Sequence, residues 1–95
     1  MKVTVEYLGH LQRMLKKRFE EVEVEEDATL SALLSMLAEK YGEPFKREVY
    51  EPGHKDVKSG FLVTVNRVLL NRLGGINIKL RHGDRVTLMA FMSGG

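Results

Sequence analysis

Residues 80–95 read LRHGDRVTLMAFMSGG, and this stretch decides the fold. Residues 82–84 are typical of a tight turn, and residues 85–92 then alternate in the way that a half-buried strand does. The two faces of that strand carry Val86, Leu88 and Ala90 on one side, and Thr87, Met89 and Phe91 on the other. Because the strand runs almost to the last residue, we expect it to lie centrally in a sheet, with the tail projecting beyond it.

Other segments also have the period of two that predicts strands. Residues 2–7 (KVTVEY) and 21–25 (EVEVE) predict an antiparallel pair, with the valines and Tyr7 facing inward and the glutamates facing solvent. A short helix is expected between them, over residues 10–18. Residues 61–66 (FLVTVN) predict a further strand, followed after a turn near Asn66 by a short strand up to Leu70.

One main helix is predicted over residues 30–41. Thr29 is a suitable N-cap, and Gly42 is placed to end the helix. One apolar stripe at helical spacing contains Leu30, Leu33, Leu34, Leu37, Ala38 and Tyr41. Residues 43–60 predict a loop with at most one helical turn, and residues 76–78 alternate briefly. These elements predict a two-layer α+β fold, in which a single main helix packs on a mixed sheet of four to five strands.

Composition narrows the class of protein. The chain has 95 residues, of which 43% are hydrophobic and 29% are charged, as expected for one globular domain over residues 1–95. It contains no cysteine, which excludes disulfides, thiolate metal sites, cysteine nucleophiles and a side-chain persulfide. No apolar run is long enough to span a membrane, so we expect a soluble cytoplasmic protein.

The sequence offers no clear catalytic site of its own. The three histidines (His10, His54 and His82) lie in different predicted elements, and we expect them to be solvated surface groups. His54 and Asp56 are too few to predict a metal site. Residues 58–95 carry six basic side chains against one acidic side chain, which could steer the chain toward an acidic partner. Nucleic acid is not expected, because aromatic residues suited to stacking on bases are sparse.

The C-terminal residues suggest a carrier instead of a catalyst. Met89 and Phe91 face away from the predicted helix, so we expect them, with Met92, to form a docking patch unless residues 43–60 cover them. Residues 92–95 are expected to form a flexible tail that reaches ~13 Å when extended. Ser93 and Gly94 are small enough to pass through a narrow channel of a partner. The one reactive group that this tail presents is the Gly95 carboxylate, which ATP could convert to an acyl-adenylate.

Three features together resemble the MoaD/ThiS family of ubiquitin-like sulfur carriers. Val65-Asn66 closes a strand, residues 80–86 (LRHGDRV) contain the family's glycine-aspartate turn, and Ser93-Gly94-Gly95 ends the chain. The first strand and the Thr29-led helix also lie where the family has them, so the likeness covers all 95 residues. The resemblance implies a β-grasp fold, with the mixed sheet packed on one main helix.

The resemblance further implies a cycle of reactions at Gly95. An E1-like enzyme would use ATP and magnesium to adenylate the carboxylate, and a sulfur donor would convert it to a thiocarboxylate. The chain would bind no cofactor or metal itself. In the molybdopterin branch, which the length and the 43–60 insertion favour, the carrier is the small subunit of molybdopterin synthase and inserts its tail into the large subunit.

Other fates of the same chain stay open at this point. Relatives with this ending are joined to protein lysines, as a ubiquitin-like modifier would be, and others supply sulfur for the thiazole of thiamine. A binding module that uses the basic C-terminal part is the third possibility, and its binding would weaken steeply with salt.

Overall fold

The computed structural model describes residues 1–51, 53, 57–58 and 60–90. In chain order their elements are β1 (Lys2–Gly9), α1 (His10–Leu15), β2 (Phe19–Glu23), α2 (Leu30–Tyr41), α3 (Glu43–Val49), β3 (Phe61–Val65), β4 (Val68–Leu69), α4 (Leu70–Leu73) and β5 (Arg85–Ala90). The strands form one five-stranded sheet in the order β2-β1-β5-β3-β4. The last strand is therefore central, as its sequence predicts.

The pairing around β5 makes the sheet mixed. β5 runs parallel to β1 and antiparallel to β3, while β1–β2 and β3–β4 are antiparallel hairpin-like pairs. The predicted inner face is confirmed, since Val86 and Leu88 are 0% exposed and Ala90 is 2% exposed. With β1 and β3 on its two sides, β5 has hydrogen-bonding partners along both edges.

Helix α2 covers the inner face of the sheet and has the predicted bounds. The Thr29 hydroxyl accepts a hydrogen bond from the Ala32 N–H at 3.1 Å, which satisfies a backbone donor of the first turn. At the other end, Gly42 adopts a φ of +77° and its N–H donates to the Ala38 carbonyl. The leucines of the stripe are 0–1% exposed and belong to one core with the inner residues of the sheet. Each of them contributes roughly 1.5–3 kcal/mol relative to an exposed leucine.

The prediction of a loop with at most one helical turn over residues 43–60 is wrong at its start, where α3 has seven residues. Pro44 lies in the first turn of α3, where its missing N–H removes no helical hydrogen bond. Phe45 and Val49 are four residues apart and both are 0% exposed, because they join the core beside α2.

Residues 76–77 form a turn, and the brief alternation at residues 76–78 does not correspond to a strand. Their carbonyls have a different partner: the N–H groups of Leu30 and Ser31 donate to Ile78 and Ile76 at 3.0 and 2.8 Å. The first N–H groups of any helix lack partners within it, so this segment completes the start of α2. The short helix α4 was not predicted.

The first two strands are shifted from their predicted bounds. β1 continues to Gly9, and β2 occupies residues 19–23 instead of 21–25. Helix α1 ends at Leu15 instead of residue 18, because Lys16 adopts a left-handed conformation and the Arg18 carbonyl then accepts from the Tyr7 N–H. Val22 and Val24 still face inward, each 7% exposed, as predicted.

A cluster around Glu20 ties the end of α2 to the first two strands. The Glu20 carboxylate accepts hydrogen bonds from the Tyr7 hydroxyl at 2.6 Å and from the Tyr41 hydroxyl at 2.8 and 2.9 Å, and it also contacts the Lys40 ammonium. The Lys17 ammonium lies 3.4 Å away. Burial opposes the charge of Glu20, but hydrogen bonds from Lys40 and the two tyrosines outweigh it and lower its pKa to about 2.

Gly9 permits the closest approach within the sheet. It pairs with Ala90 at the ends of β1 and β5, and its φ of +64° is one that residues with a side chain rarely adopt. A Cβ on Gly9 would lie 2.6 Å from the Ala90 carbonyl oxygen, which is a backbone atom and cannot rotate away.

We predict that Gly9→Ala destabilises the protein by about 2 kcal/mol or more, because strain in φ adds to a backbone clash. Urea unfolding measures the change. Gly83→Ala has the same conformational strain in open space and should cost about 1 kcal/mol, and Gly60→Ala should change stability by less than ~0.5 kcal/mol. Equal losses for Gly9 and Gly83 would show that the contact with Ala90 is unimportant.

Glu20 should make stability depend on pH in acid. Its folded pKa is about 2 against an ordinary value of 4.5, so its contribution is complete above pH 4.5 and is lost as the pH falls toward 2. Allowing for solvent screening, we expect a contribution of about 1–2 kcal/mol. Unfolding free energies of the parent and of Glu20→Gln should converge in this range. Glu21→Gln is the matched control, and an unchanged difference down to about pH 2 would contradict the prediction.

Candidate functional site

The end of β5 fixes the place from which the C-terminal residues leave the sheet. Ala90 pairs with Gly9 of β1 on one side and with Phe61 of β3 on the other. It is 2% exposed, so the strand is held up to its last described residue. The predicted site residues Phe91, Met92, Ser93, Gly94 and Gly95 lie outside the described residues, and their roles stay predictions.

Beside this point, the outer face of the sheet carries an apolar surface formed by Leu8, Leu62, Leu69 and Met89. Met89 is its centre, since the register places it between Leu8 of β1 and Leu62 of β3. Met89 lies on the predicted face but is half-buried, whereas Leu62 and Leu69 are 42% and 44% exposed. Leu62 and Leu69 also border an open cavity of about 420 Å³.

Sequence reasoning missed Leu62 and Leu69 as members of this surface, although the sequence contains a signal for Leu62. Phe61, Val63 and Val65 face the core, so a period of two assigns Leu62 to the opposite face, together with Met89. Leu69 could not be assigned in the same way, because its place depends on a two-residue strand and on the turn before it.

The middle of the outer face is polar and charged. Glu6 is only 8% exposed and accepts hydrogen bonds from the Thr87 hydroxyl and the Arg18 Nε, each at 3.2 Å. The guanidinium carbons of Arg18 and Arg85 lie 5.4 and 5.5 Å from the centre of the Phe19 ring. Basic groups therefore share the outer face with the apolar surface, and one of them, Arg18, lies outside the basic segment 58–95.

Two sequence motifs that lie far apart in the chain meet at the start of β5. The Asp84 carboxylate accepts from the Arg81 N–H at 2.8 Å and from the Asn66 side-chain amide at 2.9 Å. Asn66 in turn accepts from the Arg85 N–H at 2.9 Å. Asn66 and Arg67 both have positive φ, as a two-residue hairpin turn requires. The glycine-aspartate turn and Asn66 thus hold β3 and β5 in register.

The histidines are only partly as predicted. His82 is exposed, and its Nδ1 accepts from the Lys2 N–H, but the prediction of a solvated group is wrong for His10. The His10 Nε2 lies 2.8 Å from a Glu48 oxygen, and its buried Nδ1 has no partner among the described residues. These contacts hold α1 against α3. His54 and Asp56 lie outside the described residues.

Two features are absent from the described part of the chain. It contains no group of three or more histidine, aspartate or glutamate side chains placed to hold a metal ion. Among its helices, none has the length and apolar character needed to cross a membrane.

Comparison with known proteins gives a family match and a consistent set of structures. Residues 5–95 match the family model of the ThiS family. SAMP1 from Haloferax volcanii, a small archaeal modifier protein, superimposes with a TM-score of 0.82 at 20% identity over 100% of both chains. A candidate molybdopterin converting factor, subunit 1, from Pyrococcus furiosus gives 0.75 at 25% identity, over 97% of this chain and 99% of that chain.

A third structure is the complex of BexX and CysO from Amycolatopsis orientalis. The match there has a TM-score of 0.70 at 22% identity, over 98% of this chain and 99% of that chain. No curated protein matches the chain significantly. The mixed five-stranded sheet with its helices is the ubiquitin-like β-grasp fold, which confirms the predicted fold class.

Proposed function

We propose that this chain carries sulfur as a thiocarboxylate on Gly95. The basis is its family, since the chain belongs to the ThiS family of ubiquitin-like sulfur carriers and modifiers. The observation that carries the proposal is the position of β5. Its end is fixed between β1 and β3, next to the apolar surface, so the residues that follow Ala90 start beside a surface suited to a partner.

The chemistry follows from what a carboxylate needs before it can accept sulfur. An oxygen of the Gly95 carboxylate would attack the α-phosphate of ATP, bound with magnesium by an E1-like enzyme, and release pyrophosphate. A sulfur nucleophile would then attack the acyl carbon and displace AMP. If that nucleophile is the outer sulfur of a donor's persulfide, the first product is an acyl disulfide, and a second thiol would reduce its S–S bond to leave the thiocarboxylate on Gly95 and a disulfide on the donor. The chain has no cysteine, so its own side chains offer no alternative thiol for this task.

Docking and passage would be separate tasks of neighbouring residues. Met89, with Leu62 and Leu8 beside it, presents an apolar surface at the root of the tail. We propose that Phe91 and Met92 extend this surface, while Ser93 and Gly94 let the tail enter a narrow channel. The CysO structure supports such docking in one respect, because that protein is in complex with a second protein, BexX.

We place the acceptor in molybdopterin synthesis, with this chain as the small subunit of molybdopterin synthase. The support is the Pyrococcus furiosus protein, a candidate converting factor subunit of almost the same length. The alternative is a protein modifier joined through Gly95 to lysines. It is supported by SAMP1, whose structure superimposes over the full length of both chains. A sulfur carrier for thiamine thiazole synthesis also fits the family.

We predict that the chain, its activating enzyme, ATP and a sulfur source together give an intact mass changed by one oxygen-to-sulfur exchange. Deleting Gly95 should abolish the exchange and leave the thermal unfolding unchanged, because β5 keeps all of its described pairs. If an active enzyme adenylates the chain and no sulfur enters, the carrier function is wrong. Lysine adducts that bear a Gly-Gly remnant would then identify a modifier.

We predict that Leu62→Glu weakens binding to the activating enzyme or the large subunit by about 10-fold or more, because it places a charge in the apolar surface. Met36→Glu is the matched control, since Met36 lies on α2 and is 39% exposed against 42% for Leu62. Calorimetric titration measures both variants. Equal affinities of the Leu62→Glu and Met36→Glu variants would show that the apolar surface does not bind the partner.

A further inference from the structure

We propose that copies of this chain associate head to tail, with the β4 edge of one copy joining the β2 edge of the next. β2 and β4 are the two outermost strands of the sheet, and both have exposed side chains. The proposal concerns an interface between copies and does not depend on sulfur transfer or on Gly95.

The two edges differ in the sign of most of their exposed charges, although the guanidinium groups of Arg18 and Arg85 lie beside Phe19 at the β2 edge. Residues 19–27, which contain β2, include six acidic side chains and no basic ones. The exposed acidic side chains of this segment are Glu21, Glu23, Glu25, Glu26 and Asp27. At the other edge, Arg67 and Arg72 are exposed on either side of β4, and Lys79 and Arg81 are exposed nearby. Two β2 edges would repel each other, whereas a β2 edge and a β4 edge attract.

The strand directions suit this pairing. β2 runs antiparallel to β1, and β5 runs parallel to β1. β3 runs antiparallel to β5, and β4 runs antiparallel to β3. β4 is therefore antiparallel to β2. If a second copy continues the sheet in the same orientation, β4 of one copy meets β2 of the next as an antiparallel pair.

The register of the sheet gives the partners in this pairing. One row across the sheet runs through Phe19, Glu6, Thr87, Thr64 and Leu69. Continuing this row into a second copy places Leu69 opposite Phe19. These are two of the exposed large apolar side chains, with 44% and 48% of their surface exposed. A contact between them would cover apolar surface that each copy leaves in water.

The same register brings opposite charges together. Two residues from Phe19 along β2, Glu21 comes opposite the turn residue Arg67, which directly precedes β4, and both are exposed. Neither of them forms an ion pair with another residue in the part of the chain that the structure describes. One apolar pair and one charge pair therefore follow from a single register.

The backbone is also suited to this register. The N–H of Tyr7 donates to the Arg18 carbonyl and the N–H of Val24 donates to the Met1 carbonyl. In an antiparallel pair, the N–H and C=O groups of every second residue point to the same neighbouring strand. The groups of Arg18 and Val24 point to β1, so those of Phe19 and Glu21 point to the free edge. On β4, the two-residue turn pairs Val65 with Val68, and the N–H of Leu69 points outward for the same reason.

The assembly would cover Leu69 at the margin of the apolar surface and leave Leu8, Leu62 and Met89 of the proposed docking site open. Met89 and Ala90 lie on the central strand, two strands from either edge. A partner could therefore reach the end of β5 in each copy. An interface that contains so short a strand is expected to be weak and to be sensitive to salt, because exposed charges are screened.

Sedimentation velocity of the full chain over a range of concentrations tests the proposal. The average mass should rise with concentration at low salt and fall when salt is added. Glu21→Lys and Arg67→Glu should each weaken the association constant by about 3- to 10-fold, since attraction becomes repulsion. The double variant, with both substitutions in one chain, should recover the parent's association, and so should an equimolar mixture of the two single variants.

Matched controls are Glu39→Lys on α2 and Arg47→Glu on α3, which reverse exposed charges away from both edges. They should leave association unchanged, and thermal unfolding checks that every variant is folded. A chain that stays monomeric at all concentrations would overturn the proposal. So would association that Glu21→Lys strengthens, which indicates contact between two β2 edges, or association that neither edge variant changes.

Discussion

The parallel pairing of β1 with β5 is the contact on which the rest of the structure depends. It places the last strand of the sheet beside the first, so all the elements that lie between them in sequence must pack around this pair. α2 then covers the inner face that this pair creates, and β2 and β3 add to its two outer sides. The pairing extends to Gly9 and Ala90 only because Gly9 has no side chain. One missing Cβ therefore decides how far the central strand is held.

Two glutamates on adjoining strands show how the fold accommodates carboxylates near its core. Glu20 faces the helices and accepts from two tyrosines beside lysine ammonium groups. Glu6 faces the outer side and is paired with Arg18 and Thr87. Each is satisfied by groups from other elements, so each fixes the position of its neighbours. A carboxylate that is partly removed from water without such partners would destabilise the sheet.

The strands and the helix whose residues follow a clear local pattern could be predicted from the sequence. The alternation at residues 85–90 gave the correct inner face of β5, and Thr29 and Gly42 gave both ends of α2. Pro44 and the polar residues around it hid α3, because a helix of seven residues is stabilised by where Phe45 and Val49 pack. The partners of Glu20 and the meeting of Asn66 with Asp84 join distant segments, and no spacing along the chain reveals them. Met89 was assigned to its face by periodicity, but its half-burial depends on Leu8 and Leu62, which come from two other strands.

The central position of β5 has a mechanical consequence. A partner that grips the residues after Ala90 and pulls would apply force along the axis of β5. The hydrogen bonds to β1 and β3 lie roughly across that axis, so they would all be strained together in shear instead of being opened one after another. A strand at the edge of the sheet, gripped from the side, would peel away pair by pair. The fold can therefore bear a pulling force applied at the end of β5 while the hydrogen bonds of the sheet stay intact.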